Sequence, residues 1–202
     1  MAEQVSKIKK KLWYPIVAPK MFENAVLGET IVYDPNAMIG KTLTASLMNL
    51  IHDVKRQNVN IHFKVVGVED GKATTSIVGY QIVSSSVKRL VRRNSEKINL
   101  SFACDTSDNV MMRVKPIVIT RSAVKGSVQA KLRHNIVNFL VKSIKKLTYE
   151  EFMQSIISHK LQESMREILN KIYPVKTCEI RFAGLEKVDK PREVKAEAPV
   201  VQ

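Results

Sequence analysis

Cysteine is nearly absent from this 202-residue chain. The two present, Cys104 and Cys178, are far apart and in no C-x-x-C spacing. That argues against a disulfide framework and a cysteine-based zinc site, and two free thiols fit a reducing cytoplasm. No apolar run is long enough to cross a bilayer as a helix. Lys7 to Lys11 followed by apolar residues mimics a secretory signal, but the stretch from Leu12 to Ala18 is short and broken by Pro15. Acidic residues are scarce: 19 Asp and Glu stand against 33 Lys and Arg, a net charge of +14. Such an excess opposes compaction by self-repulsion unless counter-charge is near, and a phosphate backbone is the commonest such counter-charge. An anionic membrane is the rival partner. It requires large apolar residues exposed opposite a basic helix face, and here those residues read as core.

What is present is an ordinary globular interior, 45% hydrophobic, in a chain long enough for one domain. Residues 1–12 read as a basic arm, 13–186 as a single domain and 187–202 as a charged tail without periodicity. Trp13 to Val17 is a short strand. Residues 18–40, with Pro19, Gly28, Pro35 and Gly40, read as an irregular connection. Lys41 to Leu47 is a strand and Met48 to Asp53 a helical turn. Val59, Ile61, Phe63 and Val65 alternate with polar residues, the period of a half-buried strand. Asp70-Gly71 supplies a tight turn, and Thr74 to Val83 returns. Ser84 to Ser86 form an N-cap cluster for a short helix, Val87 to Arg93. A second hairpin joins a strand from Ile98 to Cys104 with one from Val110 to Lys115. The period then changes to four through Val124, Val128, Leu132, Ile136, Leu140 and Ile144, a long amphipathic helix over about 123–146. Thr148 to Glu151 is a capping box opening another helix. A further helix, about Leu161 to Ile172, ends before Pro174, and Lys176 to Ala183 is a last strand.

Motifs for chemistry are weak. Gly40-Lys41-Thr42 resembles the end of a phosphate-binding loop, but Pro35 stands where the first glycine belongs and a strand follows instead of a helix. His52, His62, His134 and His159 lie in different elements without ligand spacing, so no metal is expected. Glu150 and Glu151 sit in the first turn of a helix, where capping explains them. No nucleophile, base and acid share a recognisable spacing, and neither an enzyme nor a cofactor is expected. The aromatic-rich strand of RNA-recognition domains and the G-x-x-G loop of KH domains are both missing. Trp13, Tyr14 and Phe22 are candidates for base stacking, with core residues the preferred reading.

The basic clusters are the informative feature because they recur. Lys9, Lys10 and Lys11 form the arm. Lys88, Arg89, Arg92 and Arg93 form a central cluster. Arg113 with Lys115 and Arg121 with Lys125 follow. Lys131, Arg133, Lys142, Lys145 and Lys146 line the long helix. Positive charge in nearly every element favours an extended phosphate-contacting surface over one solvated face.

The order of segments resembles one family. Its marks are Trp13-Tyr14 with Ala18-Pro19-Met21-Phe22, IGKTLTASLMNL at 39–50, HFKVVGVEDGKATTSIVGYQI at 62–82 and VKRLVRRNSEKI at 87–98. RVKPIVITRSAV at 113–124, LTYEEFMQSIISHKL at 147–161 and KIYPVKTCEIRF at 171–182 complete the series. In this order, from about Lys10 to Lys187, the chain resembles the S-three-a-e family of small-subunit ribosomal proteins of archaea and eukaryotes, also called eukaryotic-type S-one. The short arm looks like the archaeal form. The resemblance implies an α+β fold, an antiparallel β-barrel-like core with flanking C-terminal helices. It implies a cytoplasmic structural role in the small subunit, on the platform near the messenger exit. Its partners would be small-subunit rRNA and neighbouring ribosomal proteins, with no membrane. Where the family tends to place Thr-Arg-Asp, this chain has Ser84-Ser85-Ser86, and a phosphate contact there is in doubt. The alternative is a free RNA-binding factor in translation or RNA processing.

Overall fold

The structure is a computed structural model that describes residues 10–186. The expected arm up to Lys9 and the expected tail at 187–202 lie outside the described residues. In chain order the elements are β1 (Leu12–Val17), β2 (Val26–Val32), β3 (Thr42–Ser46), α1 (Leu47–Ile51), β4 (Val59–Glu69) and β5 (Lys72–Ile82). Then come α2 (Ser84–Leu90), β6 (Lys97–Asn99), β7 (Phe102–Asp105), β8 (Met111–Thr120), α3 (Gly126–Ile144), α4 (Tyr149–Ile157), α5 (Lys160–Asn170) and β9 (Val175–Leu185).

The β4–β5 hairpin follows from its sequence. Val59, Ile61, Phe63 and Val65 face inward and alternate with more exposed residues. The turn between Glu69 and Lys72 puts Asp70 and Gly71 at φ 49° and 72°, the positive values a two-residue type I′ turn requires. β5 is the shared strand of the sheet. One edge pairs with β4 along its whole length. The other edge is divided: Ala73 and Thr74 pair in parallel with Ile16 and Val17 of β1, while Gly79 to Gln81 pair antiparallel with Phe182 to Gly184 of β9. From there two ribbons diverge. One is β1–β2; the other is β9–β8, with β6 and β7 both paired to the far edge of β8.

The mixed α+β architecture agrees with expectation, but the sheet is open and not closed into a barrel. No pairing joins β2 or β3 to β6 or β7. The apolar face that closure would enclose is instead covered by helices. Leu132, Ile136, Leu140 and Ile144 of α3, Phe152 and Ile156 of α4, and Leu161, Met165 and Leu169 of α5 join Phe63, Tyr80, Val114 and Ile117 in one core. A smaller core of Ile16, Val32, Met38, Val65 and Ala73 lies under the β1–β2 ribbon. The capping box at α4 is complete. Thr148 Oγ1 accepts from the Glu151 N–H at 3.3 Å, and Glu151 Oε2 accepts from the Thr148 N–H at 3.0 Å. These hydrogen bonds hold the Glu151 carboxyl below its ordinary range.

Four local expectations are corrected. Residues 18–40 contain a strand, β2. The expected strand from Ile98 to Cys104 is two, β6 and β7, in one register with β8, because Pro116 opposite Leu100 has no N–H to complete the ladder, although the Leu100 N–H still donates to the Pro116 carbonyl at 3.3 Å. The serines at 84–86 lie inside α2 and cap nothing; Val83 is the cap residue and its N–H is held by Asn58 O at 2.9 Å. Trp13 is not core: it is 65% exposed, while Phe22 is buried edge-on to Phe63.

Candidate nucleic-acid interface

α2 turns Lys88 and Arg89 outward and ends at Leu90, so Arg92 and Arg93 ride on the following loop instead of on a helix. That loop is fastened. The Ser95 hydroxyl donates to the Arg92 carbonyl at 2.6 Å, and the Glu96 N–H donates to Thr120 Oγ1 at 3.0 Å. In return the Thr120 N–H donates to the Glu96 carbonyl at 3.0 Å. Thr120 is fully buried at the end of β8, and its hydroxyl also donates to the Ser122 carbonyl at 2.7 Å. One side chain therefore ties the loop carrying Arg92 and Arg93 to the segment carrying Arg121 and Lys125. The Arg121 N–H is itself held by the Pro174 carbonyl at 3.2 Å. Lys88, Arg92, Arg93, Arg121 and Lys125 are exposed, and among the described residues none has a carboxylate partner.

Arg113 and Lys115 lie on the outward face of β8. Arg113 is committed within the chain: its Nε donates to Glu186 Oε1 at 3.0 Å, a second guanidinium nitrogen reaches the same oxygen, and a third donates to the Ser101 hydroxyl at 3.4 Å. The Lys115 ammonium sits 5.1 Å from the centre of the Phe182 ring. Lys115, Phe182, Gln81, Ser84 and Arg181 line a shallow cavity of about 170 Å³. Arg181 is the cation that sequence reasoning missed, since a lone arginine in an alternating strand carries no cluster signal. Lys131, Arg133 and Lys142 of α3, and Lys145 and Lys146 just after its end, are all exposed.

Two residues of the arm, Lys10 and Lys11, lie on the β1–β2 ribbon instead. Lys10 and Lys11 are exposed at the start of β1, where the Lys11 ammonium lies 5.1 Å from the Tyr33 ring centre. Lys9 lies outside the described residues.

The same surfaces offer little to a catalyst. Burial pushes the Cys104 thiol up to about 11 and the Cys178 thiol up to about 12, so both stay protonated at neutral pH. His62 is held at both ring nitrogens, by Thr44 Oγ1 at 2.8 Å and Gln81 Oε1 at 3.0 Å. The hydrogen bond from His159 to Glu179, at 3.2 Å, raises the imidazole above its ordinary value. Among the described residues no three or more His, Cys, Asp or Glu gather as a metal site, and no helix is long and apolar enough to cross a membrane.

Comparison with known proteins gives this cationic α+β chain its relatives. Small ribosomal subunit protein eS1 of Desulfurococcus amylolyticus is 30% identical over 185 residues, covering 92% of this chain and 87% of the relative. The protein of the same name from Saccharolobus islandicus is 33% identical over 182 residues, covering 90% of this chain and 88% of the relative. That of Saccharolobus solfataricus is 32% identical over the same length and shares. A model of the Ribosomal S3Ae family matches residues 2–188, which takes in every described element of the sheet and all five helices. The chain therefore belongs to the Ribosomal S3Ae family.

Proposed function

We propose that this chain is a structural constituent of the small ribosomal subunit, binding rRNA through basic surfaces and supporting platform assembly and translation in the cytoplasm. The observation that carries the reading is relatedness over about nine tenths of the chain to proteins named small ribosomal subunit protein eS1. The rim supports it physically. Unpartnered cations on loops fastened to a packed core suit phosphate contact, because each one releases condensed counter-ions without first surrendering an internal ion pair. Lys88, Arg89, Arg92, Arg93, Lys115, Arg121 and Lys125 are the proposed contacts, with Lys9, Lys10 and Lys11 entering RNA as an arm. Arg113 contributes less, because Glu186 already neutralises it. The mechanism is positioning: neutralisation that holds RNA helices together with little base readout. Residues 13–186 act as one domain, partnered by rRNA and neighbouring ribosomal proteins, and no catalysis is assigned.

Co-sedimentation of the tagged chain through gradients at low and high salt tests this. Stoichiometric presence in the small-subunit peak at both salts is expected. Loss to the light fractions as salt rises would transfer the assignment to a free RNA-binding factor.

A further inference from the structure

Between Lys20 and Lys41 lies the longest stretch of the chain without a lysine or arginine, and it carries Glu23, Glu29 and Asp34. In a chain of net charge +14 this is the longest region of opposite character. It folds as β2 with its flanking turns, and β2 is a terminal strand. β1 occupies one edge, and among the described residues no strand pairs with the other. Native edges are usually blunted by lysine, proline or a bulge; β2 has neither lysine nor proline between Val26 and Val32, and its bulge at Leu27 sits near its start, leaving Gly28 to Val32 in regular register with β1. Its surroundings are apolar as well. Ile31 is 44% exposed, Tyr33 54% and Ile39 51%, and Trp13 stands directly across the ladder from Ile31. Glu29 lies on the same face, opposite Pro15.

We infer that β2 is a docking edge for an extended, lysine- and arginine-rich segment of a neighbouring protein, added to the sheet as a further strand. The inference rests on the proposed place in the small subunit. Strand addition supplies main-chain hydrogen bonds, and alternate side chains supply specificity. Apolar residues of the incoming segment cover Trp13, Ile31 and Tyr33, and its cations meet Glu29 and Glu23. RNA is the poorer occupant, because the stretch has no cation for phosphate and its carboxylates repel one. Lys11, at the start of the neighbouring β1, already lies against the Tyr33 ring. A second copy of the chain would bring one acidic edge against another.

The test places the photo-crosslinker p-benzoylphenylalanine at Val26, and separately at Ile31, in the full chain, and irradiates purified small subunits. Both positions should join one basic segment of one neighbouring protein, at points about four residues apart, because the bulge at Leu27 takes up one residue and β1 spans the same interval from Val17 to Trp13. Crosslinks to rRNA, to residues 187–202 of the same chain or to a second copy would overturn the inference, as would none at all. A second measurement reads the edge without the ribosome. Trp13 is the single tryptophan, so a tryptophan-free peptide of alternating lysine and valine should shift its emission to the blue. Glu29→Lys combined with Ile31→Lys should abolish the shift. No shift with the unsubstituted chain overturns strand addition. A retained shift in a chain absent from the small-subunit peak overturns the ribosomal reading and leaves the edge standing.

Discussion

Two ribbons leave the same edge of β5, and their outer parts contrast in charge. The β9–β8 ribbon ends in a rim where Arg92, Arg93, Arg121 and Lys125 stand exposed without carboxylate partners. The β1–β2 ribbon carries an acidic, apolar stretch without a single cation from residue 21 to 40. Their attachment points, Thr74 and Gly79, are five residues apart along β5, roughly 17 Å. The ribbons then separate further. Trp13 precedes the junction of β1 with Ala73, whereas Thr120 pairs with Val175, seven residues from the junction of Phe182 with Gln81. That spacing exceeds the Debye length of about 8–10 Å, so neither region screens the other. A net charge is thus a poor guide to a surface. Here one divided strand lets the same basic chain present a phosphate-binding rim and a cation-free edge.

Charge changes break the contrast most directly. Arg92→Glu with Arg93→Glu should lower the slope of log affinity for small-subunit rRNA against log salt by about two and prevent entry into the subunit. Glu29→Lys, the mirror change on β2, should leave that affinity within about twofold, since the added charge is screened from the rim. Filter binding over a salt series measures both. Equal effects would mean that RNA covers both ribbons.

Stability separates the regions next. Ile119 is fully buried beneath the rim, paired through the ladder with Lys97. Ile119→Ala should cost about 2–5 kcal/mol in denaturant unfolding, from lost burial plus the cavity left behind. Ile31→Ala on the exposed edge should stay within about 0.5 kcal/mol. The smallest expected effect concerns Arg113→Ala. Its ion pair is partly exposed, so stability should change by less than about 1 kcal/mol. The salt slope should fall by clearly less than one, because Glu186 already answers that charge. A full unit would show that the guanidinium leaves Glu186 for phosphate.

Much of the fold was legible where local chemistry and tertiary demand agree. Asp70-Gly71 announces its turn, Thr148 and Glu151 announce their capping box, and the four-residue spacing from Leu132 to Ile144 announces α3. β2 was not legible, because Gly28 and Glu29 interrupt its apolar pattern and prolines flank it; an edge strand has only one partner to satisfy. The break between β6 and β7 was invisible because its cause, Pro116, lies on another strand. The exposure of Trp13 follows from which face of the β1–β2 ribbon the small core covers, and that depends on β4 and β5. The basic clusters were legible as clusters. Their gathering around Thr120, and the capture of Arg113 by Glu186 seventy-three residues away, depend on long-range pairing that spacing along the chain does not encode.

The divided edge of β5 also ranks the strands by how easily they open. Lifting the β1–β2 ribbon leaves β5 paired with β4 and β9, and lifting β8–β9 leaves it paired with β4 and β1. No single local opening frees it. In hydrogen–deuterium exchange, β5 amides should therefore be the slowest to take up deuterium and the outward amides of β2 among the fastest in any strand. The sheet thus has a kinetic spine, with two ribbons that breathe independently on either half of it.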